Sequence, residues 1–250
     1  MISISGVSYR YGSAPILEDL TLEIPKGGIT ALVGANGAGK STLLGLVARL
    51  MPLQSGAVNV DGLNVTTTKS DVLARKLAIL PQASEAAPRL TVRELVGFGR
   101  YPHHKGRPGP QDVAHIQNAL EAFDLVALAD RPLDSLSGGQ RQRAQVATTF
   151  AQDTEYVLLD EPLNNLDIAA SRSLMALLQG LTRDHGRTIV TVLHDINYAC
   201  AYADHMVTLV DGTLGPCGAP RDIVSQDLLT QIFNTDANVI RHENRVLVQV

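Results

Sequence analysis

The run Gly34, Ala35, Asn36, Gly37, Ala38, Gly39, Lys40, Ser41, Thr42 places a lysine and two hydroxyls directly behind a glycine-rich loop. Its residues 34–41 fit G-x-x-x-x-G-K-[ST]. Glycines let backbone N–H groups turn inward on a phosphate chain. The helix expected from Leu43, Leu44, Leu46 and Val47 adds the partial positive charge of its N-terminus. Lys40 would reach the β- and γ-phosphates, and the Ser41 hydroxyl would ligate Mg²⁺. Kinases, GTPases and motor ATPases all use such a loop, so by itself it defines phosphate binding and not the reaction.

Residues 156–162 read Tyr-Val-Leu-Leu-Asp-Glu-Pro, a buried strand that ends in adjacent carboxylates. An acidic residue at this place holds Mg²⁺ in proteins with the same loop, often through water. That assigns Asp160 to the metal shell and leaves Glu161 to polarise an attacking water. An ordinary Asp-Glu pair at a strand end is a solvated turn; the loop at 34–41 is what moves the reading toward catalysis. Gln82 and His194 also follow apolar runs, and ligands of open α/β sheets bind at the carboxyl ends of strands. A phosphate cradle, an amide, two carboxylates and an imidazole thus converge on one sheet edge, with Lys40, Gln82, Glu161 and His194 as the candidate catalytic side chains. A lone histidine before Asp195 is more often a structural cap than a functional imidazole.

Leu136, Ser137, Gly138, Gly139 and Gln140 put Ser137 at the N-cap of a helix that carries Arg141, Arg143, Val146 and Ala147. The glycines leave the first N–H groups open to an anion. A plain capped helix is the simpler reading. Since the first loop already cradles the phosphates of its own nucleotide, a second phosphate-seeking helix end points to a nucleotide presented by another subunit.

These groups need a frame. Apolar runs at 29–33, 77–80, 156–159 and 188–193 show little alternation, as expected of parallel strands buried on both faces. They imply an α/β fold. Ile2, Ile4 and Val7, then Leu20, Leu22 and Ile24, alternate with polar residues and read as half-exposed antiparallel strands; 57–60 and a turn at Asp61-Gly62 fit the same small sheet. Helices are expected at 92–97, 111–123 and 138–151, with a Pro/Gly-rich break at 101–110 between the first two. The expected organisation is one domain: an α/β nucleotide-binding core with its antiparallel subdomain from 1–90 and 152–215, an inserted helical subdomain at 91–151, and a C-terminal extension at 216–250. A helix at 168–184 leads back to the sheet, and a turn after Gly212 and a helix near 227–233 lead into and through the extension.

A chain of 250 residues, 45% hydrophobic and 18% charged, can bury such a core. Its net charge of -4 and lack of a long Lys/Arg run argue against nucleic acid as a partner. No apolar stretch approaches the roughly 20 residues of a membrane span, and the first residues lack the basic-then-apolar pattern of a signal peptide. Cys200 and Cys217 lie in no Cys-x-x-Cys pattern and suit a reducing cytoplasm.

With these motifs in this order, the chain resembles the ATP-binding subunits of ABC transporters across essentially its whole length. Residues 34–41 match Walker A, Gln82 the Q-loop, 136–140 the ABC signature, 156–161 Walker B and His194 the H-loop. Leu166 and Asp167 fit the D-loop, and Tyr11, just before Gly12, fits the aromatic residue that stacks on adenine. The resemblance implies a P-loop NTPase fold with ATP and Mg²⁺ as cofactors, Ser41 and Gln82 on the metal, and Asp160 near it through water. It implies a head-to-tail homodimer in which ATP lies between Walker A of one copy and Ser137, Gly138, Gly139 and Gln140 of the other. It further implies His194 on the γ-phosphate, Gln82 as the link to integral membrane permease subunits, a substrate-binding protein as an indirect partner, and a place on the cytoplasmic face of the membrane.

Residues 92–103, Val-Arg-Glu-Leu-Val-Gly-Phe-Gly-Arg-Tyr-Pro-His, and 161–168, Glu-Pro-Leu-Asn-Asn-Leu-Asp-Ile, resemble importers of ferric siderophores, with haem and cobalamin importers next to them. Leu163, Asn164 and Asn165 depart from the commoner Thr and Ser/Ala but leave Glu161 and Asp167 in place. A non-transport ABC ATPase acting on DNA or ribosomes would bring coiled-coil insertions, a second cassette or basic arms, which this sequence lacks. His103 and His104, adjacent in a Pro/Gly loop without a carboxylate or cysteine at ligand spacing, are expected in the helical lobe near the membrane-subunit contact and not on a metal. Asp19, Glu94 and the C-terminal charges are expected as solvated surface.

Overall fold

The computed structural model describes residues 1–82, 89–243 and 245–249. Positions 83–88 of the expected core and 244 and 250 of the expected extension lie outside the described residues.

Strands β1 (Ile2–Tyr11) and β2 (Ala14–Ile24) form an antiparallel hairpin that sets Ile2 against Ile24 and Ile4 against Leu22. Strand β3 (Gly28–Gly34) and helix α1 (Lys40–Val47) follow, then β4 (Ala57–Val60) and β5 (Leu63–Asn64). The small sheet has the order β2-β1-β4-β5, and its alternating apolar residues point into one core. Next come α2 (Ser70–Ala74) and β6 (Leu77–Leu80), and then four helices: α3 (Val92–Phe98), α4 (Tyr101–His104), α5 (Pro110–Ala122) and α6 (Gly138–Ala151). The chain returns through β7 (Tyr156–Leu159), α7 (Ile168–His185), β8 (Thr188–Val192), α8 (Ile196–Tyr202), β9 (His205–Val210) and β10 (Thr213–Gly218).

The main sheet has the order β10-β9-β3-β8-β7-β6, parallel except for β10. Its strands lack alternation because both faces are covered. In β3, Ile29, Ala31 and Val33 join one buried cluster, whereas Leu32 joins the other, with Leu43, Leu44 and the residues of the small sheet. The first cluster also contains Val92, Val96, Leu120, Phe123 and Ala147, so α3, α5 and α6 share a core with that face of the sheet. The Gln152 amide ties the end of α6 back to the carbonyls of Ala74 (2.6 Å) and Leu77 (3.1 Å). Beside it, the buried Arg100 side chain bonds Asp112 at 3.1 Å and the Ala151 carbonyl at 3.0 Å.

Several elements depart from the sequence expectation. The main sheet gains β9 and β10 beyond the four expected strands. The break at 101–110 contains α4, whose early proline removes only an N–H that has no partner in a first turn. The C-terminal extension holds α9 (Pro220–Ile223) and α10 (Gln226–Phe233), and then an unexpected hairpin, β11 (Asn238–His242) and β12 (Arg245–Gln249). That hairpin is anchored on α8, where the Asn197 amide bonds both N–H (2.8 Å) and C=O (3.0 Å) of Val248. Two charges expected as solvated surface have structural work. Glu94 closes a capping box with Thr91 at the start of α3, and Arg241 donates to the carbonyls of Arg221 and Val224.

Candidate active site

The phosphate-type loop leaves β3 at Gly34, where a Cβ would run into the Leu209 carbonyl of the neighbouring β9. It ends at Gly39, whose φ of 94° is left-handed and whose absent side chain makes room for Leu17. Within it, the Ala38 N–H donates to the Ala35 carbonyl at 3.2 Å, and Ala38 is buried. No side chain caps α1, so its first N–H groups remain free to meet an anion. Lys40 is only 5% exposed, and its Nζ donates to the carbonyls of Gly34 and Ala35, both at 2.8 Å. Burial pulls its pKa down, while the nearby Glu161 and Asp160 carboxylates work in the opposite direction.

One residue on, the Ser41 hydroxyl donates to Asp160 Oδ1 at 2.9 Å. Asp160 is buried, and burial raises its pKa; the Ser41 bond opposes this and the charge of Glu161 adds to it. The Glu161 carboxylate is a hub. Its Oε1 pairs with His194 Nε2 at 2.6 Å, and its Oε2 accepts from Gln82 Nε2 at 2.7 Å and from Asn164 Nδ2 at 2.5 Å. Burial pushes Glu161 upward, but the bonds from His194, Asn164 and Gln82 outweigh it and hold the carboxyl below its ordinary value.

Tyr11, Asn36, Gly37, Gly39, Lys40, Ser41, Thr42, Gln82, Glu161 and His194 line one cavity of about 630 Å³ at the carboxyl ends of β3, β6, β7 and β8. Gly34, Ala35 and Ala38 supply the loop's backbone without lining it, and Asp160 adjoins it through Ser41. Ser137, Gly138, Gly139, Gln140 and Asp167 do not line it. They lie together elsewhere on the chain: a Cβ on Gly138 would sit 3.6 Å from the Asn165 carbonyl, and one on Gly139 3.5 Å from Leu166. Ser137 and Gln140 cap α6 reciprocally at 3.3 and 3.0 Å, and Asp167 caps α7 through the Ala170 N–H at 2.7 Å.

Ile16 and Asn164 also line the cavity, and sequence reasoning missed both as site residues. Asn164 carried a usable signal, an amide three residues beyond Glu161 in a turn; Ile16 carried none. His103 bonds the Gln152 carbonyl at 2.8 Å, and His104 accepts from the Gly106 N–H at 2.9 Å. Among the described residues no group of three or more His, Cys, Asp or Glu is arranged to hold a metal, and no helix is long and apolar enough to cross a membrane.

A glycine loop, a lysine and a serine facing a carboxylate pair across the edge of a parallel sheet define a P-loop nucleotide hydrolase. Residues 17–164 match the family described as ABC transporter, and the chain belongs to that family as one of its ATP-binding, ATP-hydrolysing cassettes. It is 46% identical over 241 residues to the petrobactin import ATP-binding protein FatE of Bacillus anthracis, covering 96% of both chains. It is 42% identical over 232 residues to the ferric enterobactin transport ATP-binding protein FepC of Escherichia coli (strain K12), covering 92% of this chain and 86% of that one. Among solved structures, an inward-facing metal-chelate type ABC transporter superposes with a TM-score of 0.84 at 27% identity, covering 99% of this chain and 95% of that one. The dimeric ATP-binding cassette MJ0796, bound to ADP and Pi, superposes with a TM-score of 0.78 at 27% identity, covering 88% of this chain and 99% of that one.

Proposed function

We propose that this chain energises import of a ferric siderophore, as a homodimer bound to integral membrane permease subunits at the cytoplasmic face of the membrane, with a substrate-binding protein as an indirect partner. The observation that carries this reading is likeness along nearly the whole chain to FatE and FepC, whose names specify petrobactin and ferric enterobactin. The achromobactin transport ATP-binding protein CbrD of Dickeya dadantii (strain 3937), 45% identical over 232 residues, supports the same class of cargo.

In this reading Tyr11 stacks on adenine, and residues 34–42 wrap the phosphates with their N–H groups. Lys40 exchanges the Gly34 and Ala35 carbonyls for phosphate oxygens. The oxygens of Ser41 and Gln82, with Asp160 behind a water, fit a hard cation, and the raised pKa of the buried Asp160 is what a cation would relieve. Mg²⁺ bound there would neutralise phosphate charge. Glu161 accepts a hydrogen bond from the attacking water, and His194 turns to the γ-phosphate. Ser137, Gly138, Gly139, Gln140 and Asp167 stand away from their own chain's cavity, which suits them to close over the nucleotide of a second copy. The dimeric state of the MJ0796 cassette supports the pairing of two copies.

Glu161→Gln should lower steady-state turnover by about 10²- to 10⁴-fold while ATP still binds and the dimer accumulates. Unchanged turnover would refute the role given to Glu161. For cargo, cells lacking this chain should lose uptake of labelled ferric siderophore; normal uptake of every ferric chelate tested would remove the iron reading and leave the ATPase intact.

A further inference from the structure

Leu163, Asn164 and Asn165 stand out in the sequence, and the proposed chemistry gives them no task. The structure gives Asn164 one. It follows Glu161 in a turn closed by the Asn164 N–H donating to the Glu161 carbonyl at 3.2 Å, with Glu161 itself in a left-handed conformation at φ 53°. From that turn its amide reaches back to Glu161 Oε2 at 2.5 Å.

We propose that Asn164 is a positioning residue that holds the Glu161 carboxylate in the orientation needed to engage the attacking water. The proposal rests on the role given to Glu161 above. A carboxylate offers about four lone-pair sites. Gln82 and Asn164 fill those of Oε2, and His194 takes one on Oε1, which leaves the last site on Oε1 for water. Gln82 comes from the end of β6 and His194 from the end of β8, and in the proposed reaction both have other partners, the cation and the γ-phosphate. Asn164 alone shares a turn with Glu161, so its bond survives when the other donors leave. With Oε2 anchored, rotation of the carboxylate costs that bond, and Oε1 is the oxygen left to engage water. Asn164, Glu161 and His194 also form the wall between the nucleotide cavity and a second cavity of about 240 Å³, so a released carboxylate has space to turn away.

The test uses the full chain with Asn164→Ala, Asn164→Asp and Asn164→Ser, each also combined with Glu161→Gln. Asn164→Ala should lower kcat about 10-fold, with KM for ATP within about twofold of the parent, as expected when an interaction used only in the transition state is lost. Asn164→Asp, which removes the donor and adds a like charge, should lose more, and Asn164→Ser should recover part of the loss. In single-turnover assays Asn164→Ala should cost little once Glu161 is Gln, because a residue that acts through the carboxylate has nothing left to orient. Full kcat in Asn164→Ala, or an equal loss in both backgrounds, or a loss matched by weaker ATP binding, would overturn the proposal. If Glu161→Gln itself keeps full turnover, the reading of Glu161 falls instead.

Discussion

Ser41 and Asp160 come from different elements, one from the first turn of α1 and one from the end of β7, and meet at 2.9 Å. The hydroxyl, with the Gln82 N–H and the charge of Lys40, makes the buried carboxylate tolerable, and it is the group proposed for the cation. Ser41→Ala should therefore raise the Mg²⁺ concentration for half-maximal ATPase by about 10- to 100-fold, the usual effect of disturbing a ligand shell. A Mg²⁺ titration of turnover at saturating ATP checks this, and an unshifted midpoint would remove Ser41 from the cation. Lys40 shows the same economy of partners: its charge is almost enclosed, yet both of its bonds go to backbone carbonyls that phosphate oxygens can replace.

Helices α3 and α6 begin with the same device. Thr91 with Glu94, and Ser137 with Gln140, each form a reciprocal capping box. Losing either cap hydroxyl should cost about 1 kcal/mol, or roughly 2–4 °C in Tm for a chain of this size. Thr91→Ala and Ser137→Ala are thus matched in stability and differ only in what their helices face. Thr91→Ala should keep ATPase near the parent value, whereas Ser137→Ala should weaken ATP-dependent dimerisation several-fold beyond its thermal cost. Thermal melts beside sedimentation with and without ATP separate the two effects; identical behaviour of both variants would confine the start of α6 to a structural cap. The Ser137 cap was legible from sequence because the glycines and the apolar run that follow it are local, whereas Glu94 read as solvated surface until the start of α3 placed it against Thr91. The hairpin β11–β12 was not legible, since its outward-facing Ile240 and Leu247 break the apolar alternation that marks a half-buried strand.

Across the whole molecule, one ionic cluster joins the small antiparallel sheet to the main sheet. Asp61, in the turn after β4, is held by Lys26 at 2.9 Å, by Lys76 at 2.8 Å, by the amino terminus at 2.8 Å and by the Tyr156 hydroxyl of β7 at 2.8 Å. Lys26 first, then Lys76, hold its carboxyl far below the usual carboxylate range. A depressed folded-state pKa stabilises fully above the unfolded value near 4 and is lost as pH falls toward the folded one. Asp61→Asn should therefore lower stability by about 1–2 kcal/mol at pH 7, a Tm loss of roughly 2–8 °C. That gap should narrow below about pH 4, and a gap of constant width from pH 7 to pH 3 would exclude the linkage. Such clusters, like the site itself, belong to the assembled chain. The sequence alone determined the glycine loop, the carboxylate pair, the Ser137 cap and the fully apolar strands, because backbone freedom, capping and burial pattern are decided within a few residues. Only the tertiary structure decided that Gln82, Asn164 and His194 converge on one carboxylate, that Ile16 walls the cavity, and that Ser137 and Asp167 stand outside it. Those meetings depend on the strand order β10-β9-β3-β8-β7-β6, which brings distant segments together and which no local pattern of residues encodes.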